Sequence, residues 1–406
     1  VGSTVLVSTL LFTVEAHIAK TDAVLLTTII ITILLIAGYF NNTYQKGYNL
    51  TFFLLWTTIG VSTLIKGPIL IIHLILSLTF FILFKRRISW FKNTKPLSGL
   101  FLILVIILPW FLSMSGEEKT NFLTESIVND FFFKLVKSQE SHSAFIGANF
   151  FATWFLFFPM SIFLIPMIIE VKNKLEKNNI FFLISWIVPY LFVIELIPTK
   201  LPHYALPIYP AISILVGLTI VNTKFFNSKS LKYLSILNSL IYLSVGYGII
   251  YFLYFTSNTF GTYNINHKLA IAVLIILITL SILFFYKSNL ILLFYYQILI
   301  ACTISLTIFI LFLPNMNKLW ISQEISHTIK KDNPGYDPSK VVSIGYNEPS
   351  LVFELGTKIK ILNNLDNFNE DFINYKYIIV NNNYNVKYMN IIKNNNFENI
   401  LIKKFE

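Results

Sequence analysis

The sequence predicts a mainly α, polytopic transmembrane helical bundle over residues 1–314, followed by a small C-terminal α/β domain over residues 315–406. Three observations predict it. Apolar runs of roughly 17–25 residues recur along most of the chain, the length a helix needs to cross about 30 Å of hydrocarbon. Of the 406 residues 55% are hydrophobic and only 13% charged, with a mean hydropathy of +0.68. No water-soluble core of this size needs so much apolar surface. After Leu313 the composition turns polar and asparagine-rich, and long apolar runs give way to short β-like ones.

In order, apolar spans are expected at 1–14 (a short one), 23–40, 51–65, 67–84, 97–114, 149–169, 181–197, 206–221, 231–255, 269–286 and 290–313. Span 51–65 is short for a crossing, so tilting, packing or re-entry is expected there. The connecting loops should alternate in sidedness. One set (41–50, 85–96, 170–180, 222–230, 287–289) carries thirteen Lys and Arg with its span edges, from Lys46 to Lys287. The other set (15–22, 65–67, 115–148, 198–205, 256–268) carries seven, three of them among the acidic residues of the long loop. The positive-inside rule makes the first set cytoplasmic and the second external. Within a plasma (inner) membrane, the unusual polar clusters and the C-terminal domain then all fall on the extracytoplasmic side.

The net charge of +11 is accounted for by loop lysines that orient the protein, and no nucleic-acid partner is expected. The single Cys302 lies in an apolar run, which leaves neither a disulfide nor a thiolate metal site. The C-terminal segment offers β-like runs at 341–345, 358–362, 377–380 and 400–405, separated by helix-like pieces at 349–355, 368–374 and 385–395. This is the pattern of a small βαβ-type sheet. It carries no GxGxxG, P-loop or His/Cys metal spacing, so docking or capping is its expected role.

Four ionisable residues, Glu15, His17, Lys20 and Asp22, stand within eight positions between two apolar stretches. Charges at the edge of a hydrocarbon slab are expensive and persist for a pathway, a catalytic site or a packing pair. On one continuous helix, Glu15 and Asp22 would share a face at i and i+7. Further external clusters are Lys66-Gly67-Pro68 and the Thr199–Tyr204 run.

These residues resemble a known group. Glu15-Ala16-His17-Ile18-Ala19-Lys20-Thr21-Asp22-Ala23 resembles the membrane-edge aspartate segment of bacterial GT-C glycosyltransferases, the aminoarabinose-transferase and protein O-mannosyltransferase superfamily. Ser62-Thr63-Leu64-Ile65-Lys66-Gly67-Pro68 is similar to that family's T-K-G-P joint, and Leu108-Pro109-Trp110-Phe111 to its P-W motif. Gln139-Glu140-Ser141-His142 resembles its acidic-histidine loop. Pro198-Thr199-Lys200-Leu201-Pro202-His203-Tyr204-Ala205-Leu206-Pro207 is similar to its T-K-L-P segment, and Gly345-Tyr346-Asn347-Glu348-Pro349-Ser350-Leu351 to the start of its soluble domain.

The resemblance implies a GT-C bundle and an inverting transferase. Such an enzyme takes a sugar from a polyprenyl-phosphate carrier and passes it to a lipid, glycan or protein acceptor at the external face, among membrane lipids. A phosphate leaving group needs cations. Lys66 suits this at the top of its helix, beside a glycine that lets a headgroup approach; the alternative is a snorkelling lysine. Lys200 and His203 are the further donor-phosphate candidates. By the resemblance, Asp22 binds sugar hydroxyls or orients the acceptor; the alternative is an ion pair with Lys20 or Lys66. Glu15, His17, Lys20 and Tyr204 are expected as substrate, network or loop-ordering residues, with Tyr204 and Tyr209 better suited to interfacial anchoring. Glu140 and His142 order the external loop or hold a divalent metal, but two such groups do not make a site. No cofactor is required and no metal site is assigned. His73 and His267 are read as packing or surface residues.

One departure matters. The family's catalytic base, an aspartate in a D-E motif, precedes the Glu15 segment, and the sequence starts beyond that region. The expectation is a chain without its first helix and first external loop, truncated or inactive, with Asp22 as the only carboxylate to nominate in the base's place. A flippase or transporter of an anionic lipid-linked sugar is the alternative. It would line its path with polar groups, and spans 231–255, 269–286 and 290–313 read as offering almost none.

Overall fold

The computed structural model describes residues 1–43, 48–86, 89–116, 144–221, 229–287, 289–362 and 375–381. Packing divides the chain into two compact units, Val1–Phe252 with Leu269–Ile308, and Leu253–Lys268 with Phe309–Glu406.

The first unit opens with two short helices, α1 (Gly2–Val7) and α2 (Leu10–His17). The expected span at 1–14 is therefore not a single crossing. The path breaks at Ser8–Thr9, where the Thr9 hydroxyl accepts the Phe12 N–H and caps α2. Helices α3 (Asp22–Phe40), α4 (Tyr48–Lys66), α5 (Ile69–Lys85), α6 (Ser89–Lys92) and α7 (Pro96–Ser113) follow. Then come α8 (Ala148–Leu156), α9 (Leu164–Lys172), α10 (Asn178–Leu196), α11 (Tyr209–Val221), α12 (Lys229–Phe260), α13 (Ile265–Tyr286) and α14 (Leu290–Leu306).

Among the described residues, eight helices are long and apolar enough to cross a membrane. The short 51–65 run lies within the 19-residue α4, which is long enough to cross. The 149–169 run is a broken element: Ala148–Leu156 and Met160–Lys172 meet at a bend of 116°.

Helix α4 packs against both α3 and α7, and α5 packs against α10. The α4–α7 contact depends on one missing side chain. A Cβ at Gly99 of α7 would stand 1.9 Å from the Trp56 ring, and that ring is pinned because its indole N–H donates to the Thr94 carbonyl at 2.7 Å. Gly99→Ala should cost about 1–3 kcal/mol through overpacking. Adding Trp56→Phe should restore part of it, as read by thermal unfolding in detergent. An unchanged melting temperature in Gly99→Ala would refute the tight crossing.

The long C-terminal helices of this unit are less uniformly apolar inside than their sequence implies. Asn238, Tyr242 and Gln297 are buried; the Tyr242 hydroxyl donates to Gln297 Oε1 at 2.7 Å, and the Asn238 amide to the Ile162 carbonyl at 2.7 Å. These bonds join helices to one another. At the far end of α5, Lys85 donates to the Glu176 carbonyl at 3.3 Å, which brings two of the cation-rich loops together.

In the second unit the Thr262 N–H donates to the Asn315 carbonyl at 3.2 Å, so the α12–α13 connection packs against the chain just beyond Leu313. Its three strands, β1 (Val341–Ile344), β2 (Lys360–Leu362) and β3 (Tyr377–Val380), form a parallel sheet in the order β2-β1-β3. Parallel neighbours need crossover connections. Helix α15 (Ile321–Asp332) precedes the sheet, and α16 (Pro349–Leu355) supplies the crossover between β1 and β2. The two helices bury Ile325, Ile329, Leu351 and Leu355 with Val341. The expected pieces at 341–345, 349–355, 358–362 and 377–380 form in that order. Those at 368–374, 385–395 and 400–405 lie outside the described residues.

Candidate functional site

Helix α2 stops at His17 and α3 starts at Asp22, because Ile18 turns to an extended conformation (φ −103°, ψ 137°). Glu15 and Asp22 therefore do not share one helical face. The break places Asp22 in the first turn of α3, where unpaired backbone N–H groups favour a carboxylate. Lys66 is the last residue of α4. Gly67 makes the turn with φ +66°, a conformation that disfavours a side chain, and Pro68 leads into α5. A Cβ on Gly67 would meet nothing within 4 Å, so space stays open beside Lys66.

The start of α3 and the end of α4 meet. Lys66 Nζ lies 2.5 Å from Asp22 Oδ1, with the lysine side chain 26% exposed and the aspartate 7%. The ion pair weighed against a substrate-binding Asp22 is thus formed, and it lines a pocket. The pocket is partly open, with about 280 Å³ of empty space when open solvent is counted. Its polar wall is Asp22, Lys66, Tyr190, His203 and Tyr204; Leu25, Leu26, Ile29, Ile69, Leu206 and Pro207 make the rest. His203 and Tyr204 arrive on the tight Pro202–Ile208 segment, their rings edge to face at 5.0 Å. Residues 22, 66 and 203 are far apart in the chain and converge at one end of the bundle.

Lys200 does not join them. Its ammonium donates to the carbonyls of Ile194 (3.0 Å) and Glu195 (2.5 Å) and lies 3.3 Å from Glu195 Oε2, with the side chain 7% exposed. Its donors and its charge are engaged there, and it is not among the residues that line the pocket, where it was expected as a phosphate ligand. Its partner Glu195 escaped the sequence reading. The Glu195 carboxylate also accepts the N–H groups of Gly147 (2.9 Å) and Phe150 (2.7 Å), capping α8 from outside the helix. The available signal was a lone glutamate in the apolar run 190–197, five residues before a lysine.

The other candidates separate by burial. Glu15 is 4% exposed, and its Oε2 has no hydrogen-bond partner. Burial raises its carboxyl above the usual range, an effect that Lys20 and Lys66 oppose and Asp22 adds to. Lys20 and His17 are exposed; His17 Nδ1 lies 2.7 Å from the Thr13 carbonyl. Tyr190 was missed because an intramembrane tyrosine usually marks packing. Behind it the buried His73 stacks at 4.2 Å and donates to the Trp186 carbonyl at 2.8 Å, a packing residue. Tyr209 is fully buried against Phe157 and is no interfacial anchor. Glu140 and His142 lie outside the described residues, and among the described residues no three His, Cys, Asp or Glu gather as a metal would need.

With eight helices among the described residues long and apolar enough to cross a membrane, this is a multi-pass membrane protein, and an ion pair, a histidine and two tyrosines meet at one end of its bundle. Its fold matches ArnT from Cupriavidus metallidurans bound to undecaprenyl phosphate, with a TM-score of 0.62 and 16% identity, over 89% of this chain and 65% of ArnT. The apo form of the same protein matches with a TM-score of 0.60 and 17% identity, over 87% and 65%. An uncharacterised protein of Aquifex aeolicus (strain VF5) is 24% identical over 199 residues, 48% of this chain and 42% of that protein. The chain thus spans less than half of that relative and just under two thirds of ArnT. No protein-family model matches the chain.

Proposed function

We propose that the protein is a membrane glycosyltransferase that takes a sugar from a polyprenyl-phosphate carrier. The acceptor is a lipid, glycan or protein hydroxyl at the extracytoplasmic face of the plasma membrane, and the transfer proceeds with inversion. One observation carries this reading: Asp22 and Lys66 meet in a pocket that His203 and Tyr204 complete. Lys66 supplies the cation for the departing phosphate, and its own exposure and the space beside Gly67 leave it reachable. His203 is the second donor-phosphate group. The apolar pocket residues suit the first isoprene units of a carrier. Asp22 orients the sugar or the acceptor once the phosphate has taken its place on Lys66. The ArnT fold, seen with undecaprenyl phosphate bound to that protein, supports the donor class. Residues 315–406 cap or dock on the external side in this reading, consistent with the loop-charge bias.

The test is reconstitution into vesicles with a polyprenyl-phosphate sugar and candidate acceptors. Release of sugar onto an acceptor is the expected result. Movement of intact donor between leaflets without transfer would replace this reading with a flippase.

A further inference from the structure

Glu15 does not line the pocket, but it lies within the electrostatic influence of Asp22 and Lys66, and the proposed reaction leaves its chemistry unused. It sits in the last turn of α2, is 4% exposed, and has a carboxyl oxygen without a partner. The charges of Lys20, Asp22 and Lys66 all act on it. An unpartnered buried polar oxygen is costly and calls for an explanation.

The Asp22–Lys66 pair supplies one. A phosphate that draws Lys66 away from Asp22 leaves that carboxylate buried as an anion without its cation. We propose that Glu15 is the positioning residue for this exchange: its protonated carboxyl donates a hydrogen bond to Asp22 when an anionic lipid headgroup takes Lys66. This rests on the phosphate role given to Lys66 above. No covalent bond changes; the proton stays on Glu15, and Asp22 trades an ammonium for a neutral O–H donor.

The exchange predicts a direction with pH. Burial keeps Glu15 protonated to a higher pH than an ordinary carboxyl. Below that raised pKa the donor is present and the headgroup binds. As pH rises through it, Glu15 ionises, repels Asp22 and returns it to Lys66, so binding weakens. The elements packed on α2 bring few other titrating groups. The Pro202–Ile208 segment brings His203 and Tyr204, α3 brings Asp22, and α1 and α8 bring none. His17 on α2 itself and Lys20 after it are exposed.

The probe is farnesyl methyl phosphate, a phosphodiester whose single charge does not titrate in the range where carboxyl and imidazole groups do, measured by calorimetry on the full chain in detergent. Wild-type affinity should fall roughly tenfold or more as pH rises, the weight of a hydrogen bond to a charged group. Glu15→Gln keeps a donor at every pH and should bind with a shallower profile than wild type, the remaining slope belonging to His203; Glu15→Ala should bind weakly throughout. Identical pH profiles in wild type and Glu15→Gln would overturn the inference. Thermal unfolding of Glu15→Gln checks that the variant is folded. Lys66→Ala separates the two claims: if it binds the probe like wild type, the phosphate site itself is wrong. If it loses binding while Glu15→Gln keeps the wild-type slope, the inference about Glu15 alone fails.

Discussion

Lys66→Ala is expected to lower transfer by roughly 100-fold or more, the scale seen when one preorganised charge-stabilising group is removed from a water-poor site. The ammonium sits at the end of α4, within reach of the pocket and only partly screened, and it is the lysine among the pocket residues. Its removal has a second effect, since Asp22, only 7% exposed beside its lysine, would lose that cation. Breaking one side of such a pair costs up to about 3–5 kcal/mol. Stability and chemistry must therefore be read apart. Asp22→Asn combined with Lys66→Ala removes the stranded charge and should recover much of the thermal stability. Activity should stay lost in the double variant. Wild-type turnover in Lys66→Ala would remove this residue from the site.

Glu195→Ala should be the most destabilising single change near the pocket, at about 3–5 kcal/mol for stranding a buried cation. The cap of α8 adds roughly 1 kcal/mol. One carboxylate holds the Gly147 and Phe150 N–H groups and the Lys200 ammonium, with both charged side chains at most 10% exposed. Through Lys200 it also fixes the segment that carries His203 and Tyr204 to the pocket. Affinity for a lipid phosphate should accordingly fall with the melting temperature. Glu195→Ala with Lys200→Met removes both charges and should regain part of the stability, since an apolar replacement leaves no unpaired ion. A melting temperature unchanged in Glu195→Ala would show that the pair contributes nothing.

The residue runs around Asp22, Lys66 and His203 were legible because ionisable side chains are conspicuous beside long apolar stretches, where solvation makes them costly. The helices were legible for the complementary reason: a run of apolar residues must satisfy its own backbone hydrogen bonds in hydrocarbon, and a helix does so. The C-terminal strand–helix alternation was visible from its shift in period. A break was expected, with 15–22 read as a connecting loop, but the continuation of α2 to His17, which puts Glu15 on a helix, was not visible, since Ile18–Thr21 contains no proline or glycine to mark its end. The bend between Leu156 and Met160 was not read from the sequence either, although Pro159, which removes a backbone donor, stands at the break.

Sequence by itself determined that this is a multi-span helical membrane protein with a small parallel-sheet unit, and which charged residues stand at the edges of its spans. Only tertiary structure decided the pairing. It joined Lys66 to Asp22 and Lys200 to Glu195, left a Glu15 oxygen unpartnered, and kept Lys200 out of the pocket. The physical reason is that solvation cost is a local property which composition records, whereas the partner that offsets it comes from whichever helix end packs alongside.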